Sequence, residues 1–233
     1  MPQIKINGLS IYYEVAGSGQ PFVFVHGGHL ESSSWRSQVA CFSRRYQTVT
    51  YDIRGHARSE FPEERYSMAD CVEDLHQLFD HLALEQAYLA GLSMGGYIAL
   101  SFTLAHPERV RALVLAGTNS GPVTDTLRMW GDEKATKLRS VATDSARQFL
   151  KAHEANADRP DLTGRLSEIR KPTLIVIGEN DTITPRHISE VMLTEIAGSR
   201  MVVIPDSGHR CNEEQPDRFN SAVSDFLDEL EAA

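Results

Sequence analysis

The chain alternates between short runs that are apolar throughout and longer runs with helical spacing. Its start differs: residues 3–6 (QIKI) and 9–15 (LSIYYEV) alternate around Asn7-Gly8. Asn-Gly between alternating runs predicts a β-hairpin, because its two-residue turn needs positive φ at both positions. PFVFVHG (21–27) and YQTVTYDIRG (46–55) are apolar runs ending in glycine, the pattern of strands buried on both faces. Residues 67–84 have helical spacing, with Val72, Leu75, Leu78, Phe79 and Leu82 on one face. Ser67 reads as their N-cap, with Asp70 three residues on. Strand patterns recur at 86–92, 110–118, 172–178 and 200–205, and helical ones at 94–110, closed by Pro107, at 185–198 and at 213–233.

Strands alternating with helices predict βαβ units and a mostly parallel sheet, with an antiparallel hairpin at its start. Residues 122–171 interrupt the alternation: they are polar, favour helix and carry no β-rich run. They read as a helical lid inserted into a core made of 1–121 and 172–233.

With 233 residues, 41% of them hydrophobic, the chain fits one globular domain with at most an insert. A formal net charge of −9 argues against nucleic-acid binding, and no basic cluster suggests docking to an anionic membrane. The N-terminus shows a strand pattern, with no long apolar stretch of a signal peptide or membrane span. Cys41, Cys71 and Cys211 form no CxxC pair and are odd in number, so a disulfide framework is not expected and a reducing cytoplasm is. The glycines of AGSGQP precede a strand and lack a following GK[ST], so no nucleotide site is expected there.

The chemistry gathers around LAGLSMGGY (89–97). With Gly and Ser each near ~7% of residues, Gly-x-Ser-x-Gly arises by chance in roughly one chain of this length in ten, so context decides. Here it lies between a predicted buried strand and a predicted helix. A turn that sharp needs small residues two before and two after its apex, and it thrusts the apical Ser93 into the open. A serine hydroxyl is a poor nucleophile without a base, and the base needs an orienting acid. Catalytic groups of parallel sheets collect at the C-terminal strand ends. The strand at 172–178 is followed there by Glu179 and Asp181, and that at 200–205 by His209.

These pieces resemble the α/β-hydrolase superfamily over essentially the whole length: HGG (26–28), DIRGHARS (52–59), GLSMGG (91–96), GENDTITP (178–185) and SGH (207–209). The resemblance implies an α/β fold with a mostly parallel eight-stranded sheet, helices on both faces and a short helical lid. It makes Ser93 the nucleophile, His209 the general base and then acid, and Asp181 the orienting carboxylate. Asp181 fits the family's G-x-x-D spacing from Gly178, which favours it over Glu179 and Asp206. The oxyanion hole is expected from the N–H groups of Met94 and Gly28. Gly28 would open a wall where many relatives carry an aromatic. Ala57 stands where the family's D-x-R-G-H-G-x-S has glycine, so that turn is expected to differ locally.

His26 is expected to brace the oxyanion turn. A metal site from His26, His29 and His56 lacks any H-x-x-x-H or H-E-x-x-H spacing, and neither a metal nor an organic cofactor is expected. Cys211 reads as a passive neighbour of His209, and Trp35 and Trp130 as residues that line the site or simply pack. The resemblance points to hydrolysis of a carboxylic ester or lactone through an acyl-enzyme. The look is that of the 3-oxoadipate enol-lactonase and small carboxylesterase branch. The expected partner is a small ester or lactone, without nucleic acid or membrane, and a homodimer is compatible with this. Three other readings stay open: a cofactor-free perhydrolase, a C–C bond hydrolase with a larger lid, and a receptor that keeps the fold.

Overall fold

A computed structural model describes residues 2–141 and 143–232, apart from the side chains of Trp130, Asp144, Ser145 and Gln148. Strands β1 (Gln3–Ile6) and β2 (Leu9–Ala16) form the expected hairpin, with Asn7 at φ 47° and Gly8 at φ 80°. β2 pairs antiparallel with β4 (Gln47–Tyr51). The other strands run parallel: β3 (Pro21–Val25), β5 (Ala87–Leu92), β6 (Val110–Ala116), β7 (Thr173–Gly178) and β8 (Arg200–Ile204). The eight strands lie in the order β1-β2-β4-β3-β5-β6-β7-β8.

The uninterrupted apolar runs follow from two cores. Successive strand residues point to opposite faces, so Phe22 and Phe24 of β3 enter one core while Val23 and Val25 enter the other. The valine face packs against helices α2 (Met68–His81), α3 (Met94–Ala105) and α6 (Arg186–Glu195). The phenylalanine face packs against α1 (Arg36–Phe42) and α8 (Pro216–Ala232). α2 starts as predicted: the Ser67 hydroxyl accepts from the Asp70 N–H while the Asp70 carboxylate accepts from the Ser67 N–H.

The structure adds one element, settles the place of Trp35 and divides one predicted helix. α1 and the 3₁₀ turn before it (Ser32–Trp35) went unpredicted, because SSSWRSQVACF has no clear apolar period. Trp35 does not line the site: it is fully buried against Phe24 and Phe219, with ring centroids 5.2 and 5.9 Å away. The Trp130 side chain lies outside the described residues. The last predicted helix is two: α7 (Cys211–Glu214) and then α8, which begins at Pro216, whose missing N–H suits a helix start.

Between β6 and β7 run helices α4 (Asp125–Leu138) and α5 (Asp144–Ala157) and a 3₁₀ turn (Thr163–Glu168). Among the described residues no helix is long and apolar enough to cross a membrane.

Candidate active site

The parallel strands β3, β5, β6, β7 and β8 deliver their following loops to one edge of the sheet. At the end of β5 the chain turns into α3 within one residue. A Cβ on Gly91 would overlap the Gly95 carbonyl, and one on Gly95 would overlap the carbonyls of Val25 and His26. Both positions therefore need glycine for space. Ser93, at the apex, has φ 53° and ψ −118°. A side-chain-bearing residue there stores about 1–3 kcal/mol of strain, held by surrounding bonds. Its N–H donates to the Ala116 carbonyl (2.9 Å), and its carbonyl accepts from the Thr118 hydroxyl (2.7 Å).

Asp181, after β7, and His209, after β8, meet at 2.9 Å between Oδ2 and Nδ1. Glu179 and Asp206 bond elsewhere: Glu179 accepts from the Asp206 N–H, and Asp206 pairs with Arg218. The Asp181 carboxylate is held from every side. Oδ1 accepts from the N–H groups of Ile183 (2.8 Å) and Thr184 (2.9 Å), and Oδ2 also from the Thr184 hydroxyl (2.6 Å). Burial alone would raise its pKa, but the bonds from His209 and Thr184 outweigh burial and hold it below the usual carboxylate range. Sequence reasoning missed Thr184, and it missed Gly117 at the end of β6. Gly117 has φ 47°, and a Cβ there would lie 2.8 Å from the His209 carbonyl and 3.3 Å from its Nδ1. Only the positive φ and this close approach explain it, and neither leaves a mark on the sequence.

Ser93 and His209 line one cavity, about 120 Å³, with Gly28 and Met94. Their hydroxyl–Nε2 hydrogen bond is not formed in this geometry, and such bonds commonly tighten only as substrate fills the site. A Cβ on Gly28 would sit 3.5 Å from Met94 Sδ, so the two expected oxyanion donors are neighbours. Neither N–H donates within the protein among the described residues.

His26 braces the turn that carries Gly28. Its Nε2 accepts from the Ile53 N–H (2.9 Å), which leaves the proton on Nδ1 to donate to the Gly27 carbonyl (2.7 Å). The 52–59 loop is itself anchored. Asp52 accepts from the Ser32 N–H (2.8 Å) and from Arg58 Nε (2.9 Å), and Arg54 clasps the buried Asp74 of α2. Ala57 adopts φ 43°, a left-handed conformation that the family's glycine takes freely and that costs alanine about 1 kcal/mol.

Burial, aided by repulsion from His56, lowers the pKa of both His26 and His29 from 6.5 to about 3. His26 also faces Asp52, and His29 also faces Lys134, His153 and His26. Both are neutral in the folded protein at pH 7 and gain protons on unfolding once the pH drops below 6.5. Stability is therefore present above that pH and is lost as pH falls toward 3, at about 1.4 kcal/mol per unit for each histidine. Unfolding free energy is expected to fall by roughly 2–3 kcal/mol between pH 6 and pH 5. Urea unfolding at the two pH values checks this, and an unchanged midpoint would refute the buried neutral pair. Among the described residues no three His, Cys, Asp or Glu side chains gather as a metal would require.

A larger chamber of about 340 Å³ adjoins the cavity, and His29, Leu30 and Ala152 line both. His29 has φ 62°, and its ring stacks on Phe149 of α5 at 4.0 Å. The smaller chamber is also walled by Val123, by Leu127 of α4 and by His153 and Asn156 of α5. Cys211 is buried in the core, and burial pushes its thiol up to about 12, so it carries no nucleophilic thiolate at neutral pH.

Comparison with known proteins agrees with this architecture. The chain matches the alpha/beta hydrolase fold family over residues 20–156, and a family described as TAP-like protein over 144–232. It is 30% identical to the 2-hydroxy-6-oxononadienedioate/2-hydroxy-6-oxononatrienedioate hydrolase of Klebsiella pneumoniae, covering 94% of this chain and 91% of that one. A thermophilic esterase from Thermogutta terrifontis, solved with malate bound, superposes with a TM-score of 0.91 at 27% identity, over 99% of both chains. The enol-lactonase of Burkholderia xenovorans superposes with a TM-score of 0.88 at 25% identity, over 97% of this chain and 99% of that one. The protein belongs to the alpha/beta hydrolase fold family.

Proposed function

We propose that the protein hydrolyses a carboxylic ester or lactone through a Ser93–His209–Asp181 triad. The observation that carries this reading is the placement of a strained, apical Ser93 in one cavity with His209, whose Nδ1 is 2.9 Å from Asp181. His209 Nε2 takes the hydroxyl proton as Ser93 attacks the carbonyl. The N–H groups of Met94 and Gly28 receive the negative oxygen. Asp181, kept ionised by its donors, fixes the His209 tautomer and stabilises the imidazolium without itself taking the proton. His209 then protonates the leaving alcohol, and afterwards activates water to release the acid. Residues 122–171 act as a lid, since their helices supply part of the cavity wall.

The test is labelling by a fluorophosphonate together with turnover of p-nitrophenyl acetate, butyrate and octanoate. Labelling at Ser93 and a preference for the shorter acyl groups, set by the small chamber, are expected. No labelling and no turnover of esters or lactones would sink the reading.

A second reading, hydrolysis of a C–C bond, draws support from those relatives named for 2-hydroxy-6-oxononadienedioate and 2-hydroxy-6-oxononatrienedioate. The two readings part on kcat/KM for a 2-hydroxy-6-oxo-dienoate against that for a simple ester.

A further inference from the structure

Arg159 is a buried cation with no acid paired to it among the described residues. The residue is 6% exposed, and it forms no ion pair with a carboxylate among them. It donates instead to neutral oxygens: the Gly121 carbonyl (3.0 Å), the Pro122 carbonyl (3.4 Å), Asn119 Oδ1 and Asn156 Oδ1 (3.1 Å). Its guanidinium lies 4.6 Å from the centroid of the Tyr97 ring, and Tyr97 is tied to the Pro160 carbonyl. Burying a cation without a counter-charge is costly, and these oxygens only partly offset that.

The arrangement fixes one thing in the cavity. A guanidinium has donors only, so the Asn156 atom that faces it must be the oxygen. The Asn156 amide nitrogen is thereby turned away from Arg159. It donates no hydrogen bond among the described residues, and the side chain, 9% exposed, lines the same cavity as Ser93 and His209. Around it the wall carries Leu92, Val123, Leu127 and Ile183, and its other polar side chains outside the Ser93–His209 pair are His29, His153 and Arg210. The Asn156 N–H₂ is a nearly buried donor beside the apolar part of this wall, and it has no role in the proton transfers of the triad.

We propose that Asn156, positioned by Arg159, is a specificity-determining donor that binds a second oxygen of the substrate, a ketone or carboxylate oxygen on the acyl chain beyond the scissile carbonyl. This rests on the ester-hydrolase reading of the same cavity. The unbalanced charge of Arg159 strengthens the donor, because it draws electron density through the amide and places positive potential behind it.

The test compares kcat/KM for p-nitrophenyl pentanoate, p-nitrophenyl 4-oxopentanoate and the mono-p-nitrophenyl ester of glutarate, in the unaltered protein, Asn156→Leu and Asn156→Asp. The measured quantity is the ratio of each oxygenated ester to the plain one within each protein, which cancels any general loss of folded or active enzyme. The unaltered protein is expected to favour one oxygenated ester by about 5–10-fold, the worth of one neutral hydrogen bond. Preference for the 4-oxo ester assigns a ketone, and preference for the glutarate ester a carboxylate. Asn156→Leu should bring the ratio close to one. Asn156→Asp keeps a partner for Arg159, so it should fold well; it offers no N–H, and it should push the glutarate ratio below one. A merely structural asparagine would change stability and leave the ratios alone.

Ratios of one in the unaltered protein, or ratios that the variants leave unchanged, overturn the proposal while the hydrolase reading stands. Failure to turn over any of the three esters, with no labelling of Ser93 by fluorophosphonate, overturns both.

Discussion

Replacing Ser93 with alanine is expected to lower ester turnover by at least ~10³-fold while the protein stays folded. The size follows from what is removed. On the proposed mechanism no acyl-enzyme forms without the hydroxyl, and only the proposed oxyanion donors and binding remain, which sustain a small residue of catalysis. The folded state should survive because alanine occupies the same space and meets the same left-handed strain that Ser93 carries at φ 53°. No described hydrogen bond uses the Ser93 hydroxyl, so none is lost. Circular dichroism and thermal unfolding of the variant, measured beside kcat, separate chemistry from folding. More than about a tenth of the original kcat in a well-folded variant would remove Ser93 from the mechanism.

The largest effect on stability is expected at Asp74. Its carboxylate is buried and takes two bonds from Arg54, at 2.6 Å from Nε and 2.5 Å from Nη2, and a third from Asn7 Nδ2 at 2.8 Å. Asp74→Leu strands a buried guanidinium, with only the more exposed Asp70, 3.9 Å away, as a partial substitute. Breaking one side of such a pair costs about 3–5 kcal/mol, whereas replacing both sides with apolar groups is often close to neutral. The double variant Arg54→Met with Asp74→Leu should therefore be more stable than Asp74→Leu alone. Urea unfolding of the three proteins decides it, and a double variant no more stable than Asp74→Leu would refute the cost assigned to the stranded guanidinium. Arg54 lies in the loop that holds His26 through the Ile53 N–H, so a loss here should also loosen the turn bearing Gly28.

Much of this was legible because the features concerned are local. Asn7-Gly8 specifies its turn by conformation, and the unbroken apolar runs specify strands covered on both faces. The spacing of Gly91, Ser93 and Gly95 specifies a turn whose clearances only glycine meets. The family spacing from Gly178 pointed to Asp181, the carboxylate that lies 2.9 Å from His209 Nδ1. What stayed hidden depends on partners far along the chain. Trp35 is a core residue because Phe219 packs on it, and nothing near Trp35 announces that. Gly117 is needed because His209 comes to lie against it. Arg159 and Asn156 sit in a polar stretch whose composition reads as exposed helix, and only the folded chain turns those side chains inward. Ala57 was legible as a departure from the family's glycine, but its backbone keeps the left-handed conformation open to glycine, so the departure shows as strain and not as a different turn.

The order of the strands also decides when the site can exist during folding. The turn with Gly28 follows β3, Ser93 follows β5, Gly117 follows β6, Asp181 follows β7 and His209 follows β8. These strands become neighbours only through registers such as Val25 with Gly91, Leu92 with Ala116 and Gly178 with Ile204. Parallel pairing of strands distant in sequence incurs loop-closure entropy before any contact repays it, so it is slow. Helices such as α2, capped by its own residues, form from local contacts. In refolding, helical signal should therefore return ahead of activity, and activity reports the closing of the last strand.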